Sequence, residues 1–161
     1  MSRKTKTPVT PAIRLLKQAK VPYEECLYGY VEHGGTTVSA QELGVDEHAV
    51  VKTLVMEDGD RHPLIVLMHG DRSVSTKNLA RAMGTKHVVS CDPAVAEKHT
   101  GYRVGGTSPF GTRKRLPIYV QKSILDLDRV YINGGHRGFL VGISPDDLVR
   151  VLQPVAVDVA N

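Results

Sequence analysis

The chain mixes two hydrophobic rhythms. Alternating or continuous apolar runs at residues 23–30, 50–57, 63–68, 86–90, 117–121, 129–133 and 138–143 are rich in Val, Ile and Tyr and predict strands. Helix-start signals lie among them. Thr10-Pro11, Asp92-Pro93 and Ser144-Pro145 each set a capping residue before a proline at the first helical position, where a missing N–H costs nothing. The first predicts a helix to about Lys20 with Ala12, Ile13 and Leu16 on one face. The second runs to about His99 and stops at Gly101, and the third carries Asp146 and Asp147 where the helix dipole favours them. Ser39-Ala-Gln-Glu42 reads as a capping box on a helix stopped by Gly44, and residues 75–83 as a helix stopped by Gly84. Asp58-Gly59 predicts a hairpin turn, and Gly134-Gly135 a turn between the last two strands. Strand pairs joined by such short turns imply an α+β fold, a mixed, largely antiparallel sheet surrounded by helices, and argue against a doubly wound parallel sheet.

Length and composition narrow this picture. A chain of 161 residues is one domain by length, expected over residues 10–161 behind a flexible basic tail at 1–9. It is long enough to fold without disulfides or metals. The two cysteines, Cys26 and Cys91, make no disulfide framework and point to a reducing cytoplasm. The basic start has no apolar segment behind it, and the longest aliphatic run, residues 64–68, is too short to cross a bilayer, so no membrane partner is expected. Net charge is +4, from 21 basic and 17 acidic residues, which suits weak contact with nucleic acid without requiring it.

Residues 100–117 change the functional picture most. They combine four glycines, Pro109, the hydroxyls of Thr107 and Ser108 and the cations Arg103, Arg113, Lys114 and Arg115 in one non-periodic stretch. Glycine-rich backbone can bring N–H groups against an anion or a carbonyl oxygen, and the cations add an attractive field for phosphate. A tight helix-to-strand turn would account for the glycines but not for the flanking charge. It is not a P-loop: after Gly106 and Gly111 come Thr112-Arg113 where Lys and Ser/Thr are required.

Lys52 sits inside an apolar strand, on the same face as Val50 and Leu54. It must find a partner or lose its charge, unless it is an edge-strand lysine reaching solvent. Seven histidines show no metal-ligand spacing and read as isolated surface residues, and the cysteines read as buried inert thiols. Ser108 lacks the Gly-x-Ser-x-Gly elbow of a Ser-His-Asp hydrolase.

Val104-Gly-Gly-Thr-Ser-Pro-Phe-Gly resembles the Gly-x-x-x-Pro loop of the YbaK/EbsC family, stand-alone relatives of the editing domain inserted in bacterial prolyl-tRNA synthetases. Val51-Lys52-Thr53-Leu54, Tyr131-Ile-Asn-Gly-Gly-His-Arg-Gly138 and the opening Thr10-Pro-Ala-Ile-Arg-Leu-Leu16 resemble the same family in order and spacing. The resemblance implies a barrel-like version of the sheet and a deacylase of Cys-tRNA(Pro) that needs no cofactor or metal. Lys52 would hold the charged tRNA terminus, while Gly105, Gly106, Thr107, Ser108 and Pro109 steady the ester carbonyl. Tyr28, Asn133, Gly134, Gly135 and Arg137 would bind the acylated adenosine, and Arg103, Arg113, Lys114 and Arg115 the RNA backbone. Asn133 stands where a Ser is often found and Leu140 where an acidic residue can occur, and both differences bear on amino-acid specificity. The expected partners are aminoacyl-tRNA(Pro) and prolyl-tRNA synthetase. An Ala-tRNA(Pro) deacylase and a non-catalytic module for nucleotides or RNA ends are the alternatives.

Overall fold

The computed structural model describes residues 7–161, so positions 1–6 of the expected basic tail lie outside the described residues. Helix α1 (Pro11–Gln18) starts as its sequence dictates: the Thr10 side chain accepts the Ile13 N–H at 3.1 Å and Pro11 takes the first turn. Its buried face is Ala12, Ile13 and Leu16. The Thr10 hydroxyl also donates to the Gly134 carbonyl, so one side chain caps α1 and ties it to a strand 124 positions away. Thr10→Ala removes both bonds from a buried site and is expected to lower unfolding stability by about 1–2 kcal/mol, read from the urea midpoint. An unchanged midpoint would show that solvent replaces them.

Strands β1 (Glu24–Leu27), β2 (Val50–Asp58), β3 (Pro63–His69), β4 (Val88–Ser90), β5 (Ile118–Gln121), β6 (Val130–His136), β7 (Phe139–Ile143) and β8 (Val155–Val157) form one sheet. The hydrogen-bonded path runs β1-β7-β6-β2-β3-β5-β8, with β4 on the side of β2. β2–β3, β2–β4, β6–β7 and β1–β7 are antiparallel. β2–β6, β3–β5 and β5–β8 are parallel. Helices α2 (Gly35–Leu43), α3 (Thr76–Met83), α4 (Pro93–Thr100) and α5 (Pro145–Leu152) surround the sheet. β3 is buried from Leu64 to His69 because both of its faces are covered. One face packs Ile65 and Leu67 with Phe110 and α1, and the other packs Leu64, Val66 and Met68 with Leu79 of α3.

The hairpin at Asp58-Gly59 forms, with the Asp58 carboxylate accepting the N–H groups of Asp60 and His62 at 2.9 Å each. Three local expectations fail. Ser39 does not open a helix: α2 begins four residues earlier, and the Ser39 hydroxyl donates to the Thr36 carbonyl inside it. Glu47 accepts the Thr36 and Thr37 hydroxyls and holds that extra turn in place. Asp92 precedes Pro93 without a side-chain cap bond. Gly134-Gly135 is not the turn but a bulge within β6, whose Gly135 and His136 N–H groups donate to Asn133 Oδ1 at 2.7 and 3.1 Å. The reversal comes after His136.

Candidate active site

The sheet leaves an opening along β2. β6 pairs with Val50 and Val51, β4 pairs from Met56 to Asp58, and residues 52–55 between them have no partner strand on that side. The Val50 carbonyl accepts the Gly70 N–H on the β3 side, and the Val55 carbonyl accepts the Cys91 N–H on the opposite side. Strand alternation therefore turns the Thr53 N–H and C=O into the opening. The cleft there measures about 460 Å³.

Lys52, Gly105, Thr107, Asn133 and Tyr28 all line this cleft, so β2, the 104–107 loop, β6 and the segment after β1 meet at one place. Lys52 is half-buried and its ammonium donates to the Arg72 carbonyl. Burial pulls its pKa below the ordinary lysine value, opposed by the charges of Glu47 and Asp71. The loop is clamped from behind. Arg137 Nε donates to the Val104 carbonyl at 2.8 Å, and its guanidinium lies 5.0 Å from the centre of the Tyr30 ring. Asn133 Nδ2 donates to the Gly105 carbonyl at 3.2 Å. Gly106 is buried against the backbone of His136 and Arg137, where a Cβ would come within 2.8 Å of the Arg137 nitrogen. The Gly106 N–H donates to the Arg103 carbonyl and the Val104 N–H to Glu97, so the amides of Gly105 and Thr107, two residues that line the cleft, are without a protein acceptor among the described residues.

Several residues assigned to the site from sequence take other places. Ser108 and Pro109 are buried behind the loop, and Ser108 Oγ accepts the Phe110 N–H at 3.1 Å. Gly134 and Gly135 pack against Phe139 and Tyr102 outside the cleft wall. Arg137 supports the loop through its Nε and does not line the cleft. Arg103, Arg113, Lys114 and Arg115 are exposed and lie off the lining. Sequence reasoning missed Tyr30, Thr36, Thr53 and Cys91 as lining residues. The Thr53 hydroxyl is buried with no hydrogen-bond partner among the described residues, and its adjacency to Lys52 was the available signal.

Not all histidines are isolated on the surface. His69 is buried and stacked on His48 with ring centres 3.6 Å apart. Its Nδ1 pairs with the His48 carbonyl and its Nε2 with Ser123 Oγ, each at 2.7 Å, and His48 Nδ1 pairs with Asp71 at 2.8 Å. Protein partners thus take up the ring atoms of His69 that a metal would need. The cluster braces the turn that supplies the Arg72 carbonyl to Lys52.

Cys91 lines the cleft, but burial, the charge of Glu57 and its hydrogen bond push its thiol up to about 11. It is a poor nucleophile at neutral pH. Iodoacetamide is expected to modify Cys91 at pH 8 at least tenfold more slowly than a free thiol, followed by mass spectrometry. Modification at the free-thiol rate would show a thiolate in the cleft.

Residues 33–151 match the family profile described as the aminoacyl-tRNA editing domain. A relative from Enterococcus faecalis named "Putative Cys-tRNA(Pro)/Cys-tRNA(Cys) deacylase EbsC" is 30% identical over 94% of this chain and 93% of its own length. A proline–tRNA ligase from Moorella thermoacetica is 30% identical over 71% of this chain, which corresponds to 19% of the ligase. Among solved structures, hypothetical protein APE2540 superposes with a TM-score of 0.86 at 24% identity over 94% of this chain and 100% of the other. A structure described as a putative trans-editing enzyme for prolyl tRNA synthetase gives 0.81 at 20% identity over 96% and 99%. These two likenesses establish a shared fold, and the profile match over most of the chain together with the Enterococcus relative establishes that this chain belongs to the aminoacyl-tRNA editing domain family.

Proposed function

We propose that this protein is a trans-editing hydrolase that deacylates Cys-tRNA(Pro). The observation that carries the reading is that Lys52 and the 104–107 loop share one cleft. The name of the Enterococcus relative supports the choice of cysteine, and the similarity to part of a proline–tRNA ligase supports tRNA(Pro).

In this reading the acylated 3′ adenosine enters the opening beside β2. The Lys52 ammonium holds its phosphate or acyl end, and the Gly105 and Thr107 amides donate to the ester carbonyl as negative charge develops on its oxygen. The substrate thiol attacks that carbonyl, the bond to the ribose oxygen breaks, and the cyclic thioester then takes up water. Such a reaction asks the protein for positioning rather than for a nucleophile, and positioning supplies ~7–11 kcal/mol at best. Proline has no thiol, so correctly charged tRNA(Pro) survives. The reading needs no cofactor, locates the protein in the cytoplasm, and makes prolyl-tRNA synthetase its companion. The exposed Arg103, Arg113, Lys114 and Arg115 follow the RNA backbone outside the cleft.

The test is ester loss from Cys-, Ala- and Pro-charged tRNA(Pro). Selective loss of cysteine supports the reading, and selective loss of alanine reassigns the substrate. Three intact esters with retained RNA binding leave a binding module.

A further inference from the structure

A second hollow lies on the sheet face that carries Lys52. Lys52, Leu54 and Met56 alternate onto one side of β2, and Leu54 and Met56 pack there with Leu79 and Ala80 of α3 and Val88 of β4. Outside that packing, α3 and the segment running into β4 enclose a groove of about 490 Å³ floored by Ala80 and Val88. Thr76, Lys77 and Arg81 of α3 make one wall, and Thr85, Lys86 and His87 the other.

Charge here is unbalanced. Residues 72–91 contain four Lys and Arg and no acid. Taking those four from the 21 basic residues leaves 17, the number of acids, so this stretch alone accounts for the net charge of +4. Lys77, Arg81 and Lys86 are exposed, and none is in an ion pair among the described residues. Residues 1–6 contain no acid. The β2–β3 hairpin does bring acids to the border: Asp58 is registered with Val88, and Gly59 lies against the His87 ring. Asp58 accepts two N–H groups of its own turn and pairs with His62, while Asp60 stands beside Arg61. Groove and hairpin together still hold four permanent cations against two carboxylates. Glu57 alternates to the opposite face of β2. Asp71 and Asp92 lie just beyond the two ends of the stretch, one bonded to His48 and the other next to Cys91 of the cleft. Asp158, near the start of α3, pairs with Lys122 and accepts from Gln121.

We infer, resting on the editing reading for the identity of the RNA, that this groove binds the phosphate backbone of the tRNA whose acylated end occupies the cleft. β4 joins the two places: Val88 lines the groove and Ser90 the cleft, about 7 Å apart along the strand. A chain leaving the cleft past Ser90 meets the groove's cations next. The Thr76 and Thr85 hydroxyls add neutral donors for phosphate oxygens. No Phe, Tyr or Trp lines the groove, so bases lack a stacking platform there and the contact is with backbone, independent of sequence.

The test compares the full chain with a groove variant, Lys77→Gln, Arg81→Gln and Lys86→Gln together. A control of equal charge, Arg14→Gln, Lys17→Gln and Lys20→Gln, changes exposed positions on and just after α1, which packs on the other face of the sheet. Binding of uncharged tRNA(Pro) is titrated at several salt concentrations. The groove variant is expected to bind about tenfold or more weakly at ~0.1 M salt, with the slope of log K against log salt reduced by about 2–3, and the control to lose less than about twofold. Deacylation of Cys-tRNA(Pro) by the groove variant should show the loss in KM with kcat kept, and a loss confined to kcat overturns the inference. Equal losses of tRNA binding in both variants would show a diffuse effect of net charge and overturn it too. So would native tRNA binding by the groove variant, including the case in which it loses binding to prolyl-tRNA synthetase instead, which would make the groove a protein-docking surface. Uncharged tRNA reports on the groove without any chemistry. A native chain that binds tRNA through the groove but cleaves no ester therefore removes the editing reading and leaves the groove as an RNA-binding surface.

Discussion

Replacing Lys52 by Ala is expected to lower kcat/KM for the deacylated ester by about 10²–10³-fold, the range seen when one preorganised charge-stabilising group is removed. The fold should survive. Lys52 is half-buried, its ammonium bonds a single backbone carbonyl, and its strand is held by β3 along seven positions. Its pKa is depressed by burial, so the charged form is less comfortable in the folded protein than in the unfolded chain. Between the lowered folded value and the ordinary lysine value the unfolded chain binds more protons. Stability therefore rises with pH through that window, and the penalty is complete below it. Lys52→Met should lose this rise and be no less stable than the native chain at pH 7. The measurements are single-turnover deacylation and urea unfolding against pH. Native turnover in Lys52→Ala, with the melt unchanged, would falsify the role of Lys52.

Gly106→Ala is expected to cost about 10²-fold in kcat while leaving KM within a few-fold. An added Cβ would meet the Arg137 nitrogen at 2.8 Å, the His136 carbonyl carbon at 3.0 Å and the His136 Cα at 3.2 Å. These are backbone atoms and no rotamer change moves them aside. The loop must lift from the β6–β7 reversal, which also stretches the Gly106 N–H bond to Arg103 and the Asn133 and Arg137 bonds to Gly105 and Val104. Gly105 and Thr107 leave their places on the cleft wall with it, and a displacement of ~1 Å is enough for a hundredfold loss. Stability should change less, by about 1–3 kcal/mol as for other overpacked sites, because Phe110 anchors the end of the loop in the main core. Full activity in a folded Gly106→Ala would mean that the loop's position does not matter to the chemistry.

Sequence and structure agree wherever neighbours in the chain decide the outcome. Thr10, Ser75 and Ser144 cap their helices through their own side chains, and Gly44, Gly84 and Gly101 end helices in the left-handed conformation. A Thr or Ser oxygen reaches an N–H three residues on in any setting, and a glycine takes positive φ without strain, so these signals are read locally. Lys52 was legible for a related reason: a charge within an apolar strand stands out before any neighbour is known.

The misread elements depend on distant partners. Ser39 had the spacing of a capping box, but Glu47 binds the hydroxyls of Thr36 and Thr37 and carries the helix start back to Gly35. Gly134-Gly135 had the composition of a turn, but Asn133 accepts two bulge amides and Gly134 must lie flat against Phe139. Arg137 stood out as a cation beside the glycines, but the loop carbonyl that its Nε holds, contributed from 33 positions away, was not visible locally. His69 read as a surface residue because nothing nearby in the chain announces its stacking on His48 or its bond to Ser123.

From its own order of residues, then, the chain set the helices, most of the strands and the two reactive-looking segments, since capping, turn formation and alternation act over a few positions. The cleft itself was decided only when parallel β6 and antiparallel β4 took different stretches of one edge of β2 and left Thr53 open between them. Strand partnership across 30 to 81 positions depends on how whole faces pack together, and no local pattern of hydrophobicity encodes it.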